Sequence, residues 1–142
     1  MTLPRIVSLL GYAGLLPFIA GPLWLTLMPH TAPAWLDHSW LAYVAMIAAF
    51  MAGSFWGFAL PACEGPEGTM GLVFASVLMI VAWGAVTLPF TVALAALIVV
   101  FLLLLLADFW RERTLGSVEG YFRLRTVLTV GACATLIWRL MI

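Results

Sequence analysis

Few residues in this chain have the type and setting to do chemistry. Asp108 ends an eighteen-residue apolar run, 90–107, and Arg123 and Arg125 open the next apolar run at the same depth. A carboxylate facing a guanidinium at a partly dry interface makes strong, charge-assisted contacts. Asp108 paired with Arg123 or Arg125 would tie two segments together. Two other readings stay open: unlinked side chains that each reach for water, or an arginine fork that holds an anionic headgroup. Aromatic residues supply a second set. Tyr12, Trp56, Trp83 and Tyr121, with the Arg123/Arg125 pair near Asp108, suit a flat apolar ring with a polar head. Trp56 sits beside Gly57 near the end of an apolar run, where it either stacks on a ligand or anchors at the interface, the commoner role. Gly14 and Pro17 open a helix backbone, for a ligand or merely for a kink.

Other chemistries lack parts. His30, Asp37 and His38 share one loop, but three loosely spaced ligands make a weak metal site, and no metal is expected. Ser8, Ser39, Ser54 and Ser76 have no histidine at matching depth to activate them, so they read as packing hydroxyls. Cys63 falls in a connection and Cys133 midway along an apolar run, so a disulfide is not expected. Cys133 has no base beside it and reads as a small core residue. Neither a phosphate-binding glycine loop nor a pair of haem ligands within a span is present, and no cofactor is expected. No Asp, Glu, Lys or His lies deep inside an apolar run, which argues against pumps and proton-coupled carriers. The chain is expected not to be an enzyme.

The elements that must position these residues follow from composition. Of 142 residues, 65% are hydrophobic and 8% charged; six arginines balance six acids, and Lys, Asn and Gln are absent. A soluble or disordered domain needs far more polar surface, and a net charge of zero gives no footprint for nucleic acid. A polytopic membrane protein remains. A helix needs about 20 apolar residues to cross a bilayer, and five runs qualify, near 6–28, 39–60, 71–88, 90–107 and 124–141. Period-2 alternation is absent, so the runs are helices. The fold class is all-α, one five-helix transmembrane domain over 1–142. The first run is too long for a signal-peptide core and has no A-x-A cleavage site.

Breaks and small residues set the packing. Pro29 and Pro33 punctuate the first connection, and Pro61, Gly65, Pro66 and Gly68 the second. Leu88–Pro89 alone separates the third and fourth runs, which predicts a tight hairpin. One unbroken helix over 71–107 would be about 55 Å long, too long for a bilayer. The connection 108–123 reads as a short amphipathic segment in the interface. Ala49, Gly53 and Gly57 recur at four-residue spacing, which suits close helix approach. The fourth run ends in leucines with little small-residue face, so it is expected at the periphery, with the first two runs at the centre. Arg5, Arg111, Arg113, Arg123 and Arg125 fall on one side and Arg139 on the other. By the positive-inside rule, the N-terminus is cytoplasmic or matrix-facing and the C-terminus outside. Trp24, Trp35 and Trp40 then form an outer aromatic belt.

Four stretches resemble a known family. Residues 10–18, LGYAGLLPF, are similar to an opening L-G-x-x-G-L-x-P-F. Tyr43, Ile47, Phe50, Gly53, Trp56 and Gly57 fall on its Y-x-x-x-I-x-x-F-x-x-G-x-x-W-G core. Trp83 with Leu88–Pro89 resembles its third-span W and L-P turn. Asp108, then Tyr121, Leu124, Arg125, Leu128 and Thr129, resemble its D…W-Y-x-x-L-R-x-x-L-T end. This is the pattern of domain-of-unknown-function family 3429 (DUF3429), whose animal members are called transmembrane protein 69. The chain departs at Phe55, where many members carry a polar or basic residue, and at Gly120, where the pattern has Trp. The resemblance implies a small five-helix protein of a bacterial inner membrane or a mitochondrion, and no established activity.

The leading functional expectation is a non-enzymatic accessory or assembly subunit of an inner-membrane complex. Its partners would be membrane lipids and either another membrane protein or a second copy of the chain. The alternative is a site for a lipid or quinone. A carrier or channel ranks lower, since five spans without a deep charge line a pore poorly.

Overall fold

In a computed structural model, which describes residues 5–114 and 120–142, the chain is all-helical. Five helices or helix pairs are long and apolar enough to span a membrane. The first span is two helices, α1 (Arg5–Ala13) and α2 (Leu15–Leu27), and the others are α3 (Leu36–Ala59), α4 (Pro66–Ala85), α5 (Phe90–Thr114) and α6 (Tyr121–Met141).

Proline chemistry explains the interruptions. Pro17 lies in the first turn of α2, and its missing N–H leaves the Ala13 carbonyl without an i+4 partner. The chain gives way there, and the Gly14 N–H is shared between the Leu10 and Gly11 carbonyls at 3.1 Å each. Pro66 stands at the start of α4, where a missing N–H costs nothing. A short turn at 86–89 separates α4 from α5, and the first backbone bond of α5 runs from Ala93 N–H to the Pro89 carbonyl at 2.8 Å. This is the tight hairpin expected from Leu88–Pro89.

The core runs through Val44 and Ala48 of α3, Ala82 of α4, Leu94, Leu97 and Phe101 of α5 and Leu136 of α6, with Phe18 reaching in from α2. Two packing expectations are overturned. The fourth span is central: α5 packs against α3, α4 and α6, and Ala93, Leu94, Leu97, Phe101 and Leu104 are fully buried. The first span is the peripheral one, and no residue of α1 is buried. In lipid the outside of a bundle is as apolar as its inside, so a leucine run carries no signal of which way it faces.

A third correction concerns 108–123. Nothing between Asp108 and Thr114 breaks a helix, and α5 continues straight through Asp108 and Arg111 to Thr114. Those residues are not an interfacial segment, and residues 115–119 of that reading lie outside the described residues. Helix α6 opens on Gly120, whose φ of 82° lies in the left-handed region that glycine tolerates best. A tryptophan would be strained in that conformation.

Candidate functional site

At the end of the bundle where α5 finishes and α6 begins, three ionisable side chains are buried. Asp108, Arg111 and Arg125 are 1%, 1% and 4% exposed, and all three fall within candidate spans. The expectation that the spans hold no inward charge therefore fails at their ends. Arg125 Nη2 lies 2.8 Å from Asp108 Oδ2. The contact is a close ion pair between two side chains that are almost wholly buried. The same Nη2 donates to the Met51 carbonyl at 3.2 Å, and Nη1 donates to the Tyr121 hydroxyl at 3.0 Å. One guanidinium thus joins α6 to α5 and α3. Arg111 Nε approaches Asp108 Oδ1 at 3.5 Å from one turn along α5, and its guanidinium lies 5.4 Å from the Tyr121 ring centroid. Arg125 Nε is buried and has no partner among the described residues.

Arg125 and Tyr121 close one end of a groove of about 480 Å³. Its walls come from α1 and α2 (Leu10, Gly11, Leu15), α3 (Ile47, Phe50, Ser54) and α6 (Leu124, Leu128, Ala132), with Phe18 and Phe101 deeper in. Along α6 the lining from Tyr121 to Ala132 spans about 16 Å, roughly half the hydrocarbon thickness. Leu10 and Phe50, 67% and 71% exposed, stand at the rim, so the groove opens sideways. Ser54 is already spent, its hydroxyl donating to the Phe50 carbonyl at 3.1 Å. Arg125 is the one charged lining residue among those described.

The loose first span is held beside this groove by two side chains that sequence reasoning missed. Trp40 Nε1 donates to the Phe18 carbonyl at 3.1 Å. That carbonyl is available because its i+4 residue is Pro22, which has no N–H. Tyr43 donates to the Gly14 carbonyl at 2.7 Å, at the break between α1 and α2. Trp40 is therefore a core residue, 5% exposed, and not part of an outer belt. The far end carries another clamp. Arg139 donates from Nε and Nη2 to the two oxygens of Asp37 at 3.0 and 2.7 Å, and its guanidinium sits 4.7 Å from the Phe90 ring centroid. Asp37 is thus engaged by an arginine, away from the loose His30/His38 metal reading.

The sequence-predicted residues do not all converge. Asp108, Tyr121 and Arg125 come together, whereas Arg123 is exposed and takes no part in the ion pair. Tyr12 and Pro17 are exposed, and Trp56 is 41% exposed; none of the three lines the groove. Trp83, 72% exposed, borders a separate apolar groove between α3 and α4 that also holds Met46 and Met79. Arg111 had a signal that was not used, its i+3 spacing from Asp108. The Met51 carbonyl had none.

Comparison with known proteins now adds its weight. The model of a family described as protein of unknown function (DUF3429) matches residues 3–141. The chain belongs to this family. It is also similar to transmembrane protein 69 of Xenopus tropicalis, 31% identical over 136 residues, which cover 94% of this chain and 53% of that protein. The DUF3429 chain thus spans about half the length of that relative. No solved structure matches it. The stretches that carry the DUF3429 resemblance contain Tyr43, Asp108, Tyr121 and Arg125, the side chains that bind the helices together around the groove. Phe55, the other departure, is 1% exposed and packs where α3 meets Gly71 of α4. An apolar ring belongs in that contact.

Proposed function

We propose that this DUF3429 protein is a non-enzymatic membrane protein that binds an amphiphile, a lipid or a quinone, in the groove between its first span, α3 and α6. The observation that carries the reading is a sideways-open groove, apolar along half the membrane depth and capped by Tyr121 and Arg125. A tail fills the apolar part, and a polar head meets the capped end. The five-to-one placement of arginines supports setting that end toward the cytoplasm of a bacterial inner membrane. Native mass spectrometry of the protein released gently from its own membranes tests the reading. The expected result is a small bound mass that disappears in Ser54→Phe, which adds bulk inside the groove without touching the ion pair. A bare protein mass for the unmodified chain would overturn it.

A second reading, an accessory subunit of a larger membrane complex, is favoured by Gly53 and Gly57. A side-chain carbon built on either meets nothing within 4 Å among the described residues. The small-residue face of α3 therefore looks outward, where another helix can approach closely. In the same spectra, a reproducible additional protein mass lost in Gly53→Leu supports this reading, and its absence counts against it.

A further inference from the structure

We infer that α1 is a lid on this groove, hinged at Gly14 and Pro17, which swings between its observed place and a closed place against α3. The hinge is read from the first span itself; what the lid admits rests on the amphiphile reading above. At the break, Pro17 supplies no N–H for the Ala13 carbonyl, and the Gly14 N–H is divided between two carbonyls. Gly14 keeps right-handed helical angles, φ −63° and ψ −19°, so the arm bends or straightens within one allowed basin. The two sides of the break are held differently. On the α2 side, Trp40 donates to the Phe18 carbonyl, the Trp40 ring fills the space at Gly21, and Leu15 sits against Gly131 of α6. On the α1 side no residue is buried, and α1 packs on α2 and α6 alone among the described helices. There Gly11 meets only the tips of the Leu124 and Leu128 side chains. Tyr43, bonded to the Gly14 carbonyl, marks the pivot. Val7, Leu10 and Gly11 of α1 line the groove together with Phe50, Met51 and Ser54 of α3, yet the two helices do not pack on one another. The groove is thus a wedge that widens from Tyr43 toward Arg125. Closing it sets Leu10 on Phe50, now 67% and 71% exposed. Lipid solvates apolar side chains as well as a bundle does, so neither position is penalised for the apolar surface it leaves out. A change of about 20° at a proline kink moves the far end of this arm by about 5 Å, enough to cover or uncover an acyl chain.

The test places spin labels on the full chain in nanodiscs, with Cys63 and Cys133 replaced by alanine. One pair, Ile6→Cys with Met70→Cys, measures α1 against α4, which lies beyond α3. A control pair, Leu23→Cys with Ile80→Cys, measures α2 against α4; all four positions are exposed. Pulsed electron double resonance gives a distance distribution about 5 Å wider for the first pair than for the control, the reach of the hinged arm. Pro17→Ala restores the missing N–H, joins α1 to α2 and narrows the first pair to the width of the control. A first pair as narrow as the control in the unmodified chain overturns the lid and leaves the groove reading intact. Equal breadth with and without Pro17 also overturns it, since the spread is then fraying of the helix end. Native mass spectra of the same proteins, mixed with an excess of protein-free nanodiscs, follow release of the bound small mass. Release is severalfold slower in Pro17→Ala, and an unchanged rate in a protein whose distances have narrowed overturns the gating. Absence of any bound mass overturns the amphiphile reading instead, and the distances alone then decide the hinge.

Discussion

Asp108 is a single carboxylate set between two guanidinium groups, and it holds α5 to α6 from a position 1% exposed. Removing one member of a buried ion pair strands the other, a loss of about 3–5 kcal/mol. Asp108→Asn is therefore expected to lower unfolding stability in detergent by that order. Arg125→Met added to Asp108→Leu should recover part of the loss, because it removes one of the two guanidinium groups that faced the carboxylate. An additive double mutant would refute the pairing. Trp40 offers a second residue-scale test. Trp40→Phe removes the donor from the Phe18 carbonyl and should cost about 1–3 kcal/mol. Pro22→Ala supplies a backbone N–H to that carbonyl, so it should help the Trp40→Phe protein more than the unmodified one. Equal effects of Pro22→Ala in both would show that the tryptophan bond does not depend on the proline. The sequence made Asp108 legible because it is the lone carboxylate at the end of a long apolar run. It could not choose between Arg123 and Arg125. Residues two positions apart on a helix point to nearly opposite sides, and only the register of α6 against α5 decides which one faces inward.

At the scale of elements, the glycines separate what a sequence pattern can tell from what packing decides. The four-residue spacing of Ala49, Gly53 and Gly57 marks a close-approach face, yet inside this chain nothing occupies it at the glycines. The close approaches occur elsewhere. A side-chain carbon on Gly21 would lie 2.6 Å from the Trp40 ring, and one on Gly71 2.9 Å from Ala59 Cβ. Gly21 has no small residue four positions before or after it, so no close-approach pattern marks it. Gly21→Ala is expected to destabilise the docking of α2 on α3 by about 1–3 kcal/mol, since neither an indole ring nor a helix backbone yields easily. Gly53→Ala and Gly57→Ala should stay within about 1 kcal/mol of the unmodified protein, as an open helical site gains or loses little beyond propensity. Thermal unfolding of the three variants side by side checks this, and a Gly21→Ala protein as stable as Gly53→Ala would contradict the packing of α2. The same blindness explains the misplaced fourth span. Hydropathy located all five spans, because crossing a bilayer needs length and apolarity alone. It could not rank their depth in the bundle, because lipid-facing and core-facing leucines are alike.

The whole molecule is polarised along its long axis. Helix α6 is pinned at one end by Arg125 to Asp108 and at the other by Arg139 to Asp37, while the first span is tied to α3 by the Trp40 and Tyr43 hydrogen bonds. The groove lies along that loosely held span, with Arg125 at the end that also carries Arg5, Arg111, Arg113 and Arg123. If the positive-inside rule governs this chain, the capped end faces the cytoplasm, and a ligand enters from the inner leaflet with its head at the right depth. Cys63 reports on this directly. It is exposed and unpaired in the turn between α3 and α4, whereas Cys133 is buried. That turn lies at the same end as Arg125, because α3 ends there and α6 begins there. With Cys133 replaced by Ala, a membrane-impermeant maleimide should label Cys63 in inverted vesicles and leave it unlabelled in intact cells. Labelling in intact cells would turn the bundle over and put the head of any bound amphiphile in the outer leaflet. The groove and its chemistry would survive that result, but a supply of ligand from the cytoplasmic face would not. The orientation therefore decides which leaflet's lipids or quinones Arg125 can meet.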